Sequence, residues 1–300
     1  MTTDAQIEKN REIHAQKVAA ANAYFHDSAQ FLSPPITRAA YSDRMAWIMA
    51  SMSHLAYDQY DIDVEARQLF IAKLEGGGFK LIKTFNSRET DTQAFLAAND
   101  QFAVLAFRGT EVAKVVDMKT DARAGKISTI QGEVHKGFSD AYASVEQEIE
   151  TQIKTLKGLP LYITGHSLGA ALATVCTQRL EHKLIFQEQI AACYTFGSPR
   201  VGDSHFDKDF KSPIYRLANT TDIVTVVPLL AMGYIHVGDP RFLGRKPGDF
   251  KRGIPIIRRS FYFLLTVFKL FAPLVGDHAI VEYRRKLYDI AEKRSVRRDE

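Results

Sequence analysis

Cysteine is nearly missing from this chain. Two in 300 residues, Cys176 and Cys193, leave no disulfide framework. Both fall in apolar surroundings and read as small buried hydrophobes. A signal-peptide core is missing as well. The first 25 residues are polar and alanine-rich, with no apolar run and no small-residue cleavage site. Together these absences set the expectation of an intracellular protein, cytoplasmic or at the periphery of a membrane. Zinc-ligand spacing, a P-loop and nucleic-acid-binding modules are lacking too, so no metal, no cofactor and no nucleic acid is expected. There is no internal repeat and no low-complexity tract.

Charge of one sign is also scarce: 39 Lys and Arg stand against 35 Asp and Glu, a net +4. The excess is uneven. From Arg241 onward there are 15 basic and 7 acidic residues, and the rest of the chain holds 24 against 28. A basic C-terminal fifth suits either an anionic surface or an ordinary solvated helix face.

What is present is enough for one sizeable core, since 46% of the residues are hydrophobic. The spacing predicts one α/β domain over 36–300, preceded by a helical or partly ordered extension over 1–35. Tyr41, Met45, Ile48, Met49, Met52 and Leu55 recur at helical spacing, and His54 reads as a structural residue among them. Leu69 to Leu74, three glycines, and Phe79 to Lys83 read as a β-hairpin. Strands are predicted at Thr92 to Leu96, Gln101 to Phe107, Ala191 to Phe196, Ile214 to Leu217 and Tyr234 to Val237. Helices are predicted at about Ser139 to Leu156 and Ala279 to Ala291. Strands alternating with helices imply a mostly parallel central sheet flanked by helices.

The chemistry centres on residues 159–180. An apolar strand, Leu161 to Ile163, runs into Gly165-His166-Ser167-Leu168-Gly169, and a helix of small residues follows. This is G-x-S-x-G in its strand–turn–helix context, a nucleophile elbow. The turn is so tight that side chains in place of the glycines would collide with backbone. A serine hydroxyl is a poor nucleophile at neutral pH. It needs an imidazole to take its proton and a carboxylate to orient that imidazole. With the base C-terminal to the serine, His182 faces the wrong end and His205 lies in a polar loop. His278, in a loop before a helix, is favoured by spacing, with His236 as the alternative. For the acid, Asp222 follows a predicted core strand, with Asp239 second. Backbone N–H groups of Leu168 and Thr110 are placed to form an oxyanion hole. Arg108 reads as a structural anchor in an ion pair.

These pieces resemble those of a known family. Phe107-Arg108-Gly109-Thr110, Val134-His135-Lys136-Gly137-Phe138, Gly165 to Ala170, Thr195 to Gly202, Asn219 to Val224, Tyr234 to Gly238 and Asp277-His278 occur in the order seen in class 3 lipases, the family of the fungal triacylglycerol lipases. The resemblance covers about Tyr41 to Tyr288. It implies an α/β-hydrolase fold, a Ser167–Asp222–His278 triad, an oxyanion hole at Thr110 and Leu168, and a structural role for His236 beside the site. It also implies a lipid or small ester as substrate. The chain departs from the family pattern after Thr110, where Glu111 to Met118 lacks the aromatics of a lid helix. Residues 243–275 look like an insertion, with a near-continuous apolar run from Phe261 to Phe268. It is too short and interrupted to span a bilayer. A lid, a membrane- or lipid-droplet-contacting segment at 253–275 and a core helix all remain open. The leading expectation is a serine carboxylic-ester hydrolase; the alternatives are a peripheral membrane protein with an idle hydrolase core, or an acyltransferase.

Overall fold

Strand β3 (Ala103–Phe107) is apolar and buried at every position, which requires cover on both faces. The computed structural model supplies that cover. It describes residues 4–25, 40–110, 125–156, 158–220, 222, 224–226, 228, 230–244, 250–251 and 278–296. Strands β1 (Lys80–Ser87), β2 (Thr92–Ala98) and β3 are antiparallel neighbours. Then β6 (Leu161–His166), β7 (Ile190–Phe196), β8 (Ile214–Asn219) and β9 (Asp239–Leu243) continue the sheet in parallel. The last strand, β10 (Phe250–Lys251), turns back antiparallel, giving eight strands in the order β1-β2-β3-β6-β7-β8-β9-β10. A separate two-stranded ribbon pairs β4 (Lys126–Ser128) with β5 (Glu133–His135).

Alternate strand residues feed two cores. On one face Val104, Ala106, Tyr162, Tyr194 and Leu217 meet helices α2 (Asp43–Leu55) and, near the C-terminus, Ile280–Val296. On the other, Leu105, Phe107, Ile163 and Cys193 meet α4 (Lys136–Lys154) and α5 (Leu168–Glu181). Helix α4 buries Ala141, Tyr142, Val145, Ile149 and Ile153, the stripe its periodicity announces. Ser42 caps α2, its hydroxyl accepting from Met45 N at 3.3 Å. Both cysteines are buried and free.

Two expectations are corrected. Leu69 to Leu74 is not a hairpin arm but the middle of helix α3 (Val64–Gly76). Asp63 caps it, accepting from Ala66 N at 2.7 Å, and the glycines end it rather than turn a hairpin. Tyr234 to Val237 makes only an isolated bridge, Ile235 to Gly202; the strand lies just beyond, at β9. Pro240 masks β9 in the sequence, although proline is tolerated near the start of a strand. The remaining short helices are α6 (Leu184–Gln187) and α7 (Ser204–Asp207), and α8 is Ile280–Val296. Most of the 243–275 insertion lies outside the described residues, as does Glu111 to Met118. Leu243 ends β9, and Phe250 and Lys251 form β10.

The N-terminal segment is more engaged than its composition suggests. Helix α1 (Asp4–Asn22) runs beside α3, with Lys17 Nζ 2.8 Å from Glu65 Oε1. Phe25, fully buried, packs edge-on against Trp47 with ring centroids 5.8 Å apart. Arg284 of α8 lies over the Tyr24 ring at 4.1 Å and donates to Tyr24 O at 2.7 Å. Truncating a ring buried this deeply leaves a cavity that the surroundings only partly fill. Phe25→Ala is therefore expected to lower the unfolding free energy by about 3–5 kcal/mol. A loss below about 1 kcal/mol in urea titrations would show that the arm is not part of the core.

Candidate active site

Ser167 stands at the end of β6 with φ 57° and ψ −126°, a backbone region that side chains rarely occupy. The neighbouring glycines show why it is held there. A Cβ on Gly165 would sit 2.2 Å from Gly169 O, and one on Gly169 would sit 2.4 Å from Phe107 O. Strand end, turn and helix are in backbone contact, and only glycine permits it. Ser167 N donates to Phe196 O at 2.9 Å, tying the turn to β7. The hydroxyl is buried, and among the described residues no hydrogen-bond partner reaches its Oγ. Leu168 opens α5, so its N–H has no acceptor within the helix and lies at the positive end of the helix dipole.

Residues far apart in sequence converge beside this turn. Asp222 lies just beyond the C-terminal end of β8, and His278 just before α8. His278 Nδ1 is 2.9 Å from both Oδ1 and Oδ2 of Asp222. The carboxylate also accepts from Val224 N at 2.9 Å and from the Tyr283 hydroxyl at 2.6 Å. The Tyr283 oxygen in turn accepts from Asn219 N at 2.9 Å. A buried carboxylate needs such donors, because an unpaired one would be costly. With Nδ1 engaged, the tautomer is set: Nδ1 carries the proton and Nε2 keeps its lone pair. That Nε2 is buried and has no partner among the described residues.

The loop after β3 completes the geometry. A Cβ on Gly109 would fall 2.4 Å from His166 O and 3.2 Å from Ser167 Cβ. Thr110, the next residue, is therefore brought alongside the elbow. Arg108 anchors the strand end through Gln93, donating to Oε1 at 2.5 Å, so an amide takes the place of the expected carboxylate partner.

Asp222 and His278, and not the other candidates, form the carboxylate–imidazole pair beside the turn. Asp239 begins β9, opposite Tyr215 at the start of β8, so it lies at the far end of the sheet and pairs with Arg241. His236 lies in the loop before β9. His182 caps the end of α5, with Nε2 2.5 Å from Asp209 Oδ2. His205, in α7, is exposed. His54 faces the Tyr24 hydroxyl at 2.8 Å.

Sequence reasoning missed His166, Tyr57 and Tyr283. His166 is buried between Tyr57, whose hydroxyl is 2.7 Å from Nδ1, and His278 O, 2.6 Å from Nε2. Burial first, and the neighbouring His278 second, hold its pKa well below the ordinary histidine value. Among the described residues no group of three or more His, Cys, Asp or Glu could hold a metal ion. No described helix is long and apolar enough to cross a membrane.

Residues 104–232 match the family model described as Lipase (class 3). The lipase of Rhizomucor miehei is 34% identical over 176 residues, covering 53% of this chain and 47% of that protein. The secreted mono- and diacylglycerol lipase A of Penicillium cyclopium is 32% identical over 163 residues, covering 51% and 52%. The chain thus spans about half the length of the curated relatives it matches. Among solved structures, the native propeptide complex of the Rhizomucor miehei lipase superposes with a TM-score of 0.54. Its identity is 25%, over 68% of this chain and 70% of that one.

Gly197, at φ +57°, lies against the acid–imidazole pair. A Cβ there would meet Asp222 Oδ2 at 2.7 Å and His278 Cε1 at 3.0 Å. Gly197→Ala is expected to destabilise the fold by about 1–3 kcal/mol. It should also remove or shift the downfield proton resonance of the His278–Asp222 hydrogen bond. An unchanged resonance in a stable variant would mean the pair is not held as described.

Proposed function

We propose that the chain is a member of the class 3 lipase family and a serine carboxylic-ester hydrolase acting on lipid-like esters, on the strength of the family-model match and the lipases it resembles. One observation carries the reading: a strained, buried serine with a free hydroxyl shares a site with an imidazole whose Nδ1 is committed to a buried carboxylate and whose Nε2 is free.

Ester cleavage then proceeds in two halves. His278 Nε2 takes the Ser167 proton as Oγ attacks the ester carbonyl. Asp222 holds the ring and stabilises the imidazolium that forms. The negative charge on the former carbonyl oxygen is met by the backbone N–H groups of Leu168, at the start of α5, and of Thr110. The tetrahedral intermediate collapses, His278 gives its proton to the leaving alcohol, and the acyl group remains on Ser167. Water, deprotonated by His278, attacks the acyl-enzyme and releases the fatty acid. Each catalytic group in this scheme is a side chain or backbone group of this chain.

Support for a lipid-like substrate comes from the relatives, which are lipases by name. The 253–275 segment is proposed, from its sequence, to contact a lipid surface, its apolar run flanked by Arg258, Arg259 and Lys269.

Ser167→Ala is expected to lower kcat on p-nitrophenyl butyrate by at least about a thousand-fold. Asp222→Asn, which presents the wrong partner to Nδ1, should lower it by about ten-thousand-fold. Unaltered turnover in Ser167→Ala would end the hydrolase reading. For the lipid contact, deleting 253–275 should abolish sedimentation with anionic liposomes while turnover of the short soluble ester persists. Retained sedimentation would place the contact elsewhere.

A further inference from the structure

Three separate segments must hold their relative positions for the proposed chemistry: the loop carrying Thr110, the turn carrying Ser167, and the turn carrying His278. A single string of contacts joins them, two hydrogen bonds and one close packing contact, and it runs through two residues that touch no reacting atom. Resting on the serine-hydrolase reading above, we infer that Tyr57 and His166 are positioning residues that lock the oxyanion loop, the nucleophile turn and the turn of the catalytic base into one unit.

The direction of each bond follows from elementary donor chemistry. The carbonyl oxygen of His278 can only accept, so His166 Nε2, 2.6 Å away, must carry the proton. The His166 ring is buried, and its centroid is 4.5 Å from that of the His278 ring. A second proton on His166 would place a charge in that site next to the base that must itself become positive. The ring is neutral, and its Nδ1 is an acceptor. Tyr57 therefore donates its hydroxyl proton to Nδ1 across 2.7 Å. The Tyr57 oxygen is packed against Gly109 of the oxyanion loop. The two groups are so close that a Cβ on Gly109 would lie 2.2 Å from the phenolic oxygen.

The string thus begins at Gly109, the residue before Thr110, passes the residue before Ser167, and ends on the backbone of His278. Both of its ends are main-chain groups, so it fixes where loops sit rather than how a side chain ionises. Its outer anchor is firm. Tyr57 lies just past α2, and Ser53 of that helix shares a hydrogen bond of 2.9 Å with Thr164 of β6. Thr164 also donates to Tyr194 O at 2.9 Å. A tyrosine set on a helix cross-linked to the central strands is a fixed post for the loop to rest on.

Loosening this string misplaces the oxyanion donors and the base relative to Ser167 and leaves substrate binding alone. A misplacement on the order of 1 Å costs roughly a hundred-fold in rate. Tyr57→Phe removes one oxygen and keeps the ring. Its kcat on p-nitrophenyl butyrate should fall roughly ten- to a hundred-fold with KM within about twofold. The second-order rate of Ser167 phosphonylation should fall by the same factor. A kcat within about twofold of the parent, or a loss carried by KM alone, would overturn the inference. Should Tyr57→Phe fail to fold, the 15N spectrum of histidine-labelled parent protein decides. His166 should stay neutral, protonated at Nε2 and bare at Nδ1, through the range around pH 6.5 in which a free histidine titrates. An Nδ1-protonated ring, or one titrating near pH 6.5 like a free histidine, contradicts the string. A parent that turns over no ester sinks the hydrolase reading instead, and the 15N spectrum then tests the hydrogen bonds by themselves.

Discussion

The site depends on one serine held at φ 57° and ψ −126°. Such a conformation costs on the order of 1–3 kcal/mol and survives only where the surroundings over-determine it. Here they do. Strand β6 is buried along its whole length, and nearly all of α5 is buried behind it. The strand and helix cannot separate to relieve the turn without exposing both cores. The consequences spread outward from that residue. The hydroxyl is pushed past the edge of the sheet, the Leu168 N–H is left at a helix start, and Gly109 is forced to within van der Waals reach of Ser167. One strained turn therefore defines where the nucleophile and both proposed oxyanion donors lie.

The proposed acid and base are brought to the same place by the sheet. Ser167 and Asp222 follow the C-terminal ends of the parallel strands β6 and β8, the end at which open α/β sheets carry their sites. Helix α8 then returns across the same edge, and it presents His278 just before its first turn and Tyr283 one turn later. The Asp222 carboxylate receives three donors: the His278 ring, the Tyr283 hydroxyl and the Val224 N–H. Its charge is therefore stabilised before any substrate arrives, and the imidazole has a single orientation to adopt. Tyr24 and Arg284 add a mechanical link, since the N-terminal arm is clamped by the residue next to Tyr283.

Much of this was legible in the sequence, for reasons that can be named. Gly165 and Gly169 are legible because only glycine allows that turn, and Ser167 because it sets a hydroxyl between them. Asp222 and His278 are legible because the chemistry needs a carboxylate and an imidazole C-terminal to the serine, and strand ends limit where they can be. The buried strand β3 and the stripe on α4 follow from periodicity. The failures have equally physical causes. Gly76, Gly77 and Gly78 mimic a hairpin turn, while the Asp63 cap that makes α3 a helix is a single residue. Pro240 conceals β9. Tyr24 and Phe25 are a lone aromatic pair after a polar stretch with no apolar periodicity, so nothing local announces that Phe25 enters the core. The pairing of Tyr57 with His166 spans 109 positions and involves residue types with common structural uses, so only the fold joins them.

The central claim is that Ser167 is made reactive by the imidazole of His278, held in place by Asp222. The most direct measurement is intact-mass analysis after exposure to a fluorophosphonate, followed by peptide mapping. One adduct per chain, on the peptide containing Ser167, is expected, with labelling abolished in a folded His278→Gln variant. An adduct on a different residue, or undiminished labelling of Ser167 without the imidazole, would contradict it.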